Sequence, residues 1–259
     1  MAVLTCSWGH MHYRTRGPEA GLPIVLLNSL GTDLRMWEAV VDRLPQIRCI
    51  GLDARGHGLS STPLEPWSIA DLAGDVLALM DHLQIPKALI GGCSVGGLIA
   101  QALAASKPQR VAGLFLSDTA AKFGTPEAWQ ARIEAVEEGG IAAVAGPVLE
   151  RWFAPAFLSS PEVGPWATML VRGDPQGYIG GCRALAEADN SDRTTTIRCP
   201  TLFLGGSADL STPPDAVKET AALIPGARVE ILEGSGHIPA IDNPDRVAEL
   251  LSAFHAELA

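Results

Sequence analysis

Two kinds of apolar pattern alternate along the chain. Short runs rich in apolar residues fall at 23–28, 48–52, 87–92, 110–117, 200–205 and 227–232. Each is too short for a stable helix and suits a strand in the core of a sheet. Between them lie longer stretches with apolar residues three and four apart, the spacing of a helix with one buried face. The clearest runs from Ser68 to Leu83, where Ile69, Leu72, Val76, Leu79, Met80 and Leu83 share that face. Ser68 opens it as an N-cap, with Asp71 three residues on, as in a capping box. Similar spacing marks 34–44, 98–105, 215–223 and 244–258. Residues 5–16 alternate polar and apolar around Gly9, as a hairpin at a sheet edge does.

Strands alternating with helices predict an α/β fold, a mostly parallel sheet with helices on both faces. The rhythm breaks between residues 121 and 196. Helical patterns appear there near 126–138 and 139–152, followed by Pro- and Gly-rich joints at 155–165 and 173–181. Trp129, Trp152, Phe153, Phe157, Trp166 and Tyr178 all fall in this stretch. It reads as a helical cap insertion, 121–196, between core segments 1–120 and 197–259. The alternative is an added helical layer with no part in the chemistry, since aromatic residues at helical spacing are usually core.

The 259 residues suffice for one such domain with its insertion. Hydrophobic residues make up 47% and charged residues 19%, which excludes a disordered chain. The net charge of −10, with no Lys/Arg run, argues against a nucleic-acid partner. It also means that an anionic substrate would need a local cation. Cys6, Cys49, Cys93, Cys182 and Cys199 are scattered and odd in number. They suggest neither a disulfide framework nor a zinc site, and they suit a reducing, cytoplasmic setting. The first residues lack a secretory leader's basic start, and no apolar stretch reaches the ~18 residues of a membrane span. Nothing in the sequence sets the oligomeric state.

The chemistry begins at Gly91-Gly92-Cys93-Ser94-Val95-Gly96-Gly97, between a strand pattern and a helix pattern. A serine between two glycines at a strand-to-helix turn matches a nucleophile elbow. Such a turn is crowded and strained, so Gly92 and Gly96 leave room for neighbouring backbone. A serine nucleophile needs a base, and the base needs an acid to orient it, in the chain order serine, acid, histidine. His237, in the glycine-rich loop after the last strand, is the candidate base. Asp209, after the 200–205 strand, is the candidate acid; Asp118 is its rival, and otherwise caps a helix or anchors a loop. The oxyanion of a tetrahedral intermediate needs backbone donors. The candidates are the N–H groups of Val95, after the serine, and Leu30, in the loop after the 23–28 strand. His57, in Asp53-Ala54-Arg55-Gly56-His57-Gly58-Leu59-Ser60, reads as structural, with Asp53 and Arg55 bonding inside that loop.

These phrases resemble the α/β-hydrolase superfamily. Within it, LLNSLGTDLRMW (26–37), LDARGHGLSS (52–61), GGCSVGGLIAQALA (91–104), LSDTAAKFGTPEAWQARIEAV (116–136) and GYIGGCRALAEAD (177–189) are similar to the 3-oxoadipate enol-lactonase family. The resemblance extends over most of the chain, insertion included. It implies an α/β-hydrolase fold with a helical cap, and hydrolysis of a small anionic lactone to 3-oxoadipate with no metal or organic cofactor. The substrate carboxylate then calls for a cation in the insertion. Arg132 is favoured over Arg151, with Trp152 as an apolar wall. A carboxylesterase or a C–C bond hydrolase of a ring-cleavage product would keep the same triad. A non-catalytic ligand-binding homologue is a more remote reading.

Overall fold

Eight strands form one sheet in the computed structural model, which describes residues 2–259. Met1, at the head of the first expected core segment, lies outside the described residues. The strands are β1 (Ala2–Cys6), β2 (Gly9–Arg16), β3 (Ile24–Leu27), β4 (Cys49–Leu52), β5 (Ala88–Cys93), β6 (Val111–Ser117), β7 (Thr201–Gly206) and β8 (Arg228–Leu232), in the order β1-β2-β4-β3-β5-β6-β7-β8. From β4 to β8 every pairing is parallel; β1 pairs with β2, and β2 with β4, antiparallel. Every residue of β3, β5 and β7 is buried, as their apolar runs require. Residues 228–232 differ from the expected core strand. They form the far edge, and their burial alternates along the strand.

Strand order reverses at β3. The chain steps from β3 to β4 through α1 (Glu38–Val41), then crosses back through α2 (Ile69–His82) to β5 on the other side. Right-handed crossovers in opposite directions put these helices on opposite faces. The packing agrees: α2 lies on α3 (Val95–Ser106), whereas α1 lies on the C-terminal α12 (Pro244–Ala256). The expected Ser68–Asp71 capping box is present, with both reciprocal hydrogen bonds. Residues 34–44 are less regular than expected. A 3₁₀ turn over Leu34–Trp37, capped by Asp33, precedes the short α1.

Between β6 and β7 the chain forms α4 (Pro126–Gly139), α5 (Ala142–Trp152), α6 (Pro155–Leu158), α7 (Val163–Val171), α8 (Pro175–Glu187) and α9 (Ser191–Thr194). The joint expected at 173–181 is mostly helix. Its glycines serve close packing rather than a turn. A Cβ on Gly177 would lie 2.1 Å from the Gly56 carbonyl oxygen, and one on Gly180 would lie 2.1 Å from the Trp67 ring. Here tertiary contact outweighs the ~1 kcal/mol by which each glycine disfavours a helix. The chain closes through α10 (Pro214–Ala222), α11 (Pro239–Asp242) and α12. No helix among the described residues is long and apolar enough to cross a membrane.

Candidate active site

The reversal of strand order opens a crevice at the carboxyl ends of β3 and β5, where ligands bind in open α/β sheets. The loop after β3 carries Leu30, and the turn after β5 carries Ser94. Ser94 has φ 56° and ψ −120°, a left-handed conformation that L residues rarely adopt. It is held by its own N–H, which donates to the Ser117 carbonyl at 2.9 Å, and by Thr119 Oγ1, which donates to the Ser94 carbonyl at 2.7 Å. The flanking glycines are steric necessities. A Cβ on Gly92 would sit 2.3 Å from the Gly96 backbone, and one on Gly96 would sit 2.6 Å from the Leu27 carbonyl oxygen. Val95 begins α3, so its N–H has no partner inside the helix and lies at the positive end of the helix dipole.

The β3 loop is tied down around Leu30. Thr32 donates its N–H (3.1 Å) and its hydroxyl (2.8 Å) to the Ser29 carbonyl, and Asn28 Nδ2 donates to the Ser29 and Thr32 carbonyls. The Leu30 N–H itself has no hydrogen-bond partner among the described residues.

Asp209 and His237 meet across the ends of β7 and β8. His237 Nδ1 lies 2.8 Å from Asp209 Oδ2, and both side chains are fully enclosed. Asp209 also accepts the Ser211 N–H at 2.7 Å and the Thr212 hydroxyl at 2.7 Å. Burial alone would raise its carboxyl; the imidazole's charge, its hydrogen bond and the Thr212 and Ser211 donors outweigh this and hold it below the usual carboxylate range. The loop that delivers His237 is pinned at two points. The His237 N–H donates to the Trp152 carbonyl at 2.8 Å, and the Gly236 N–H donates to Asp242 Oδ2 at 2.7 Å.

Asp118 is buried at the end of β6 with φ 47°. One donor atom from each of Asp118, Asp209 and His237 lies within 4.8 Å of the others. Asp118 Oδ1 accepts the Gly206 N–H at 2.7 Å, and Oδ2 accepts the Ser117 hydroxyl at 2.5 Å. It therefore anchors the end of β7 and caps no helix. Burial, then the neighbouring Asp209 charge, raises its carboxyl well above the usual range.

Ser94 and His237 face a cavity of about 200 Å³, also lined by Leu30, Phe123, Arg132, Arg151, Trp152 and Tyr178. The candidate substrate contacts Arg132 and Trp152 thus share one cavity with the serine, and Arg151 joins them. Arg132 stacks over the Trp129 ring at 4.8 Å. Neither arginine forms an ion pair among the described residues. Burial and the nearby Arg132 charge both lower the Arg151 guanidinium's pKa. Burial pushes the Tyr178 hydroxyl up to about 12, so it stays protonated and can donate.

Sequence reasoning missed Thr212 and the contact that Asp242, excluded as the acid because it follows His237 in the chain, makes with the His237 loop. Thr212 had a legible signal, since it lies three residues after Asp209, the local spacing at which a carboxylate accepts from the turn that follows. Asp242 had none, because its partner Gly236 is fixed by the path of the loop. Arg55 departs from the expected loop network. It pairs with Asp75 on α2 at 2.6 Å, while Asp53 does bind inside its loop through the Leu59 N–H.

Residues 24–250 match the model of the alpha/beta hydrolase family. A protein of Acinetobacter baylyi named 3-oxoadipate enol-lactonase 2 is 39% identical over 245 residues, covering 93% of this chain and 91% of the relative. A second from that organism, 3-oxoadipate enol-lactonase 1, is 36% identical and covers 92% and 90%. The crystal structure of the enol-lactonase from Burkholderia xenovorans superposes with a TM-score of 0.94 at 36% identity, covering 98% of this chain and all of that one.

Proposed function

The chain belongs to the alpha/beta hydrolase family, and from that premise we propose that it hydrolyses 3-oxoadipate enol-lactone to 3-oxoadipate through an acyl-enzyme on Ser94. The observation that carries this reading is the single cavity holding Ser94 and His237 together with two arginines that lack carboxylate partners among the described residues. The lactone offers one ester for the serine and one carboxylate for a cation.

His237 takes the Ser94 hydroxyl proton as Oγ attacks the lactone carbonyl. Asp209 holds the imidazole in the tautomer with its proton on Nδ1, leaving Nε2 free to act as base. The Leu30 and Val95 N–H groups receive the developing oxyanion. The ring C–O bond then breaks. The enol oxygen leaves with the proton from His237, and the enol, still attached through the acyl carbon, tautomerises to the ketone. Water, deprotonated by His237, attacks the acyl carbon and releases the diacid, returning the proton to Ser94. The helices α4 to α9 act as the cap, with Arg132 binding the substrate carboxylate and Trp152 forming an apolar wall.

A substrate panel tests this reading. Wild-type protein is offered the enol-lactone, p-nitrophenyl esters and a vinylogous 1,5-diketone. The expected result is the highest kcat/KM for the lactone. Preference for the diketone would make the protein a C–C hydrolase and overturn the lactone assignment.

A further inference from the structure

His57 lies outside the reaction cavity but touches the oxyanion loop. Its Nε2 accepts the Gly31 N–H at 3.0 Å, and its Nδ1 lies 2.9 Å from the Arg55 carbonyl oxygen. An N–H can only donate and a carbonyl can only accept. Both contacts are satisfied together only by a neutral ring with its proton on Nδ1. Burial lowers the pKa of this imidazole despite the Arg55 carbonyl and the charges of Asp53, Asp33 and Asp174, which pull the other way.

The Gly31 N–H belongs to the peptide unit that joins Leu30 to Gly31, one residue beyond the N–H that faces the oxyanion. Residues from the stretch between β6 and β7 pack close to the Gly31 Cα. A Cβ on Gly31 would lie 2.8 Å from Leu170 Cδ1, 3.1 Å from the Tyr178 ring and 3.3 Å from the Trp152 ring. On α8, a Cβ on Gly181 would lie 2.5 Å from Leu30 Cδ1 and 3.7 Å from His57 Cε1. The two peptide units that meet at Leu30 are thus held separately: the Ser29–Leu30 unit by the Thr32 and Asn28 donors on the Ser29 carbonyl, and the Leu30–Gly31 unit by the His57 hydrogen bond.

We infer that His57 is a positioning residue for oxyanion stabilisation: its Nε2 fixes the Leu30–Gly31 peptide on one side of the Leu30 Cα, and together with the bonds on the Ser29 carbonyl on the other side this places the Leu30 N–H toward the ester carbonyl oxygen. The inference rests on the acyl-transfer reading above, though not on the lactone as substrate. His57 does not line the cavity that Ser94 and His237 face, so its effect is expected on the transition state and not on ground-state binding.

The test uses wild type, His57→Leu and His57→Gln with p-nitrophenyl acetate, and with a phenylboronic acid whose serine adduct places an oxygen in the oxyanion site. Loss of an oxyanion donor typically costs about 10²–10³ in rate, and misaiming one is expected to cost about 10- to 100-fold in kcat. In His57→Leu, KM should stay within about twofold while boronate affinity falls in parallel with kcat/KM. In His57→Gln the amide oxygen can accept the Gly31 N–H, and most of the activity should return. A folded His57→Leu protein with wild-type kcat and boronate affinity overturns the inference. So does His57→Gln falling as far as His57→Leu. Should the leucine variant not fold, ¹⁵N NMR of the wild-type imidazole decides. An unprotonated, hydrogen-bonded Nε2 at neutral pH supports the role, and a protonated Nε2 removes it. Wild-type turnover of the ester keeps the two claims apart: if the wild type neither turns over esters nor reacts with a fluorophosphonate at Ser94, the acyl-transfer reading fails and the inference falls with it.

Discussion

Asp209 and Asp242 are shifted in opposite directions, and the difference is measurable. Asp209 is held below its usual range, so its contribution to stability is present above an unfolded value near ~3.9 and fades as pH falls through the folded one. Asp242 behaves in reverse. Burial pushes it up to about 6 against the opposing Gly236 and Ser235 hydrogen bonds, and its Oδ1 has no partner among the described residues. Its contribution is therefore greatest below the unfolded value and is lost as pH rises through about 6. Asp242→Asn removes the charge while keeping an acceptor for the Gly236 N–H. Thermal melts from about pH 4 to about pH 8 should show the variant gaining on wild type as pH rises. A difference that stays constant with pH would contradict this account of Asp242.

The helices between β6 and β7 bring the cations to an otherwise acidic protein. Arg132 lies on α4 and Arg151 on α5, and both side chains reach the cavity that Ser94 enters from β5. If Arg132 binds the substrate carboxylate, Arg132→Ala should raise KM for the enol-lactone at least ~10-fold, as loss of a charged hydrogen bond does. A neutral p-nitrophenyl ester should be little affected. Equal effects on both substrates would reduce Arg132 to a structural role. These helices were also the hardest elements to read in the sequence. The Ser68 cap and the buried strands were legible because each follows from local chemistry. Residues 173–181 were not, because Gly177 and Gly180 are set by Gly56 and Trp67, more than a hundred residues earlier in the chain. The Gly236–Asp242 contact, six residues apart, and the Arg55–Asp75 pair, 20 apart, were hidden for another reason: each depends on the path its loop takes.

At the scale of the whole molecule, the strand order explains why distant residues converge. The reversal at β3 sets the Leu30 loop beside the Ser94 turn, and β7 and β8 carry Asp209 and His237 to the same end of the sheet. The serine, acid and histidine were legible as a chain order because each follows a strand. That Ser94 and His237 face one cavity, with Asp209 hydrogen-bonded to His237, needed the topology. The fold alone does not dictate a chemistry; the serine site points to acyl transfer, and the similarity to enol-lactonases points to the lactone. The most direct test is 3-oxoadipate enol-lactone hydrolysis by wild type and by folded Ser94→Ala, followed as release of 3-oxoadipate. The account predicts turnover by wild type and a loss of about 10⁶-fold in kcat for the variant, as for other serine nucleophiles. Substantial turnover by Ser94→Ala, or none by wild type, would contradict it.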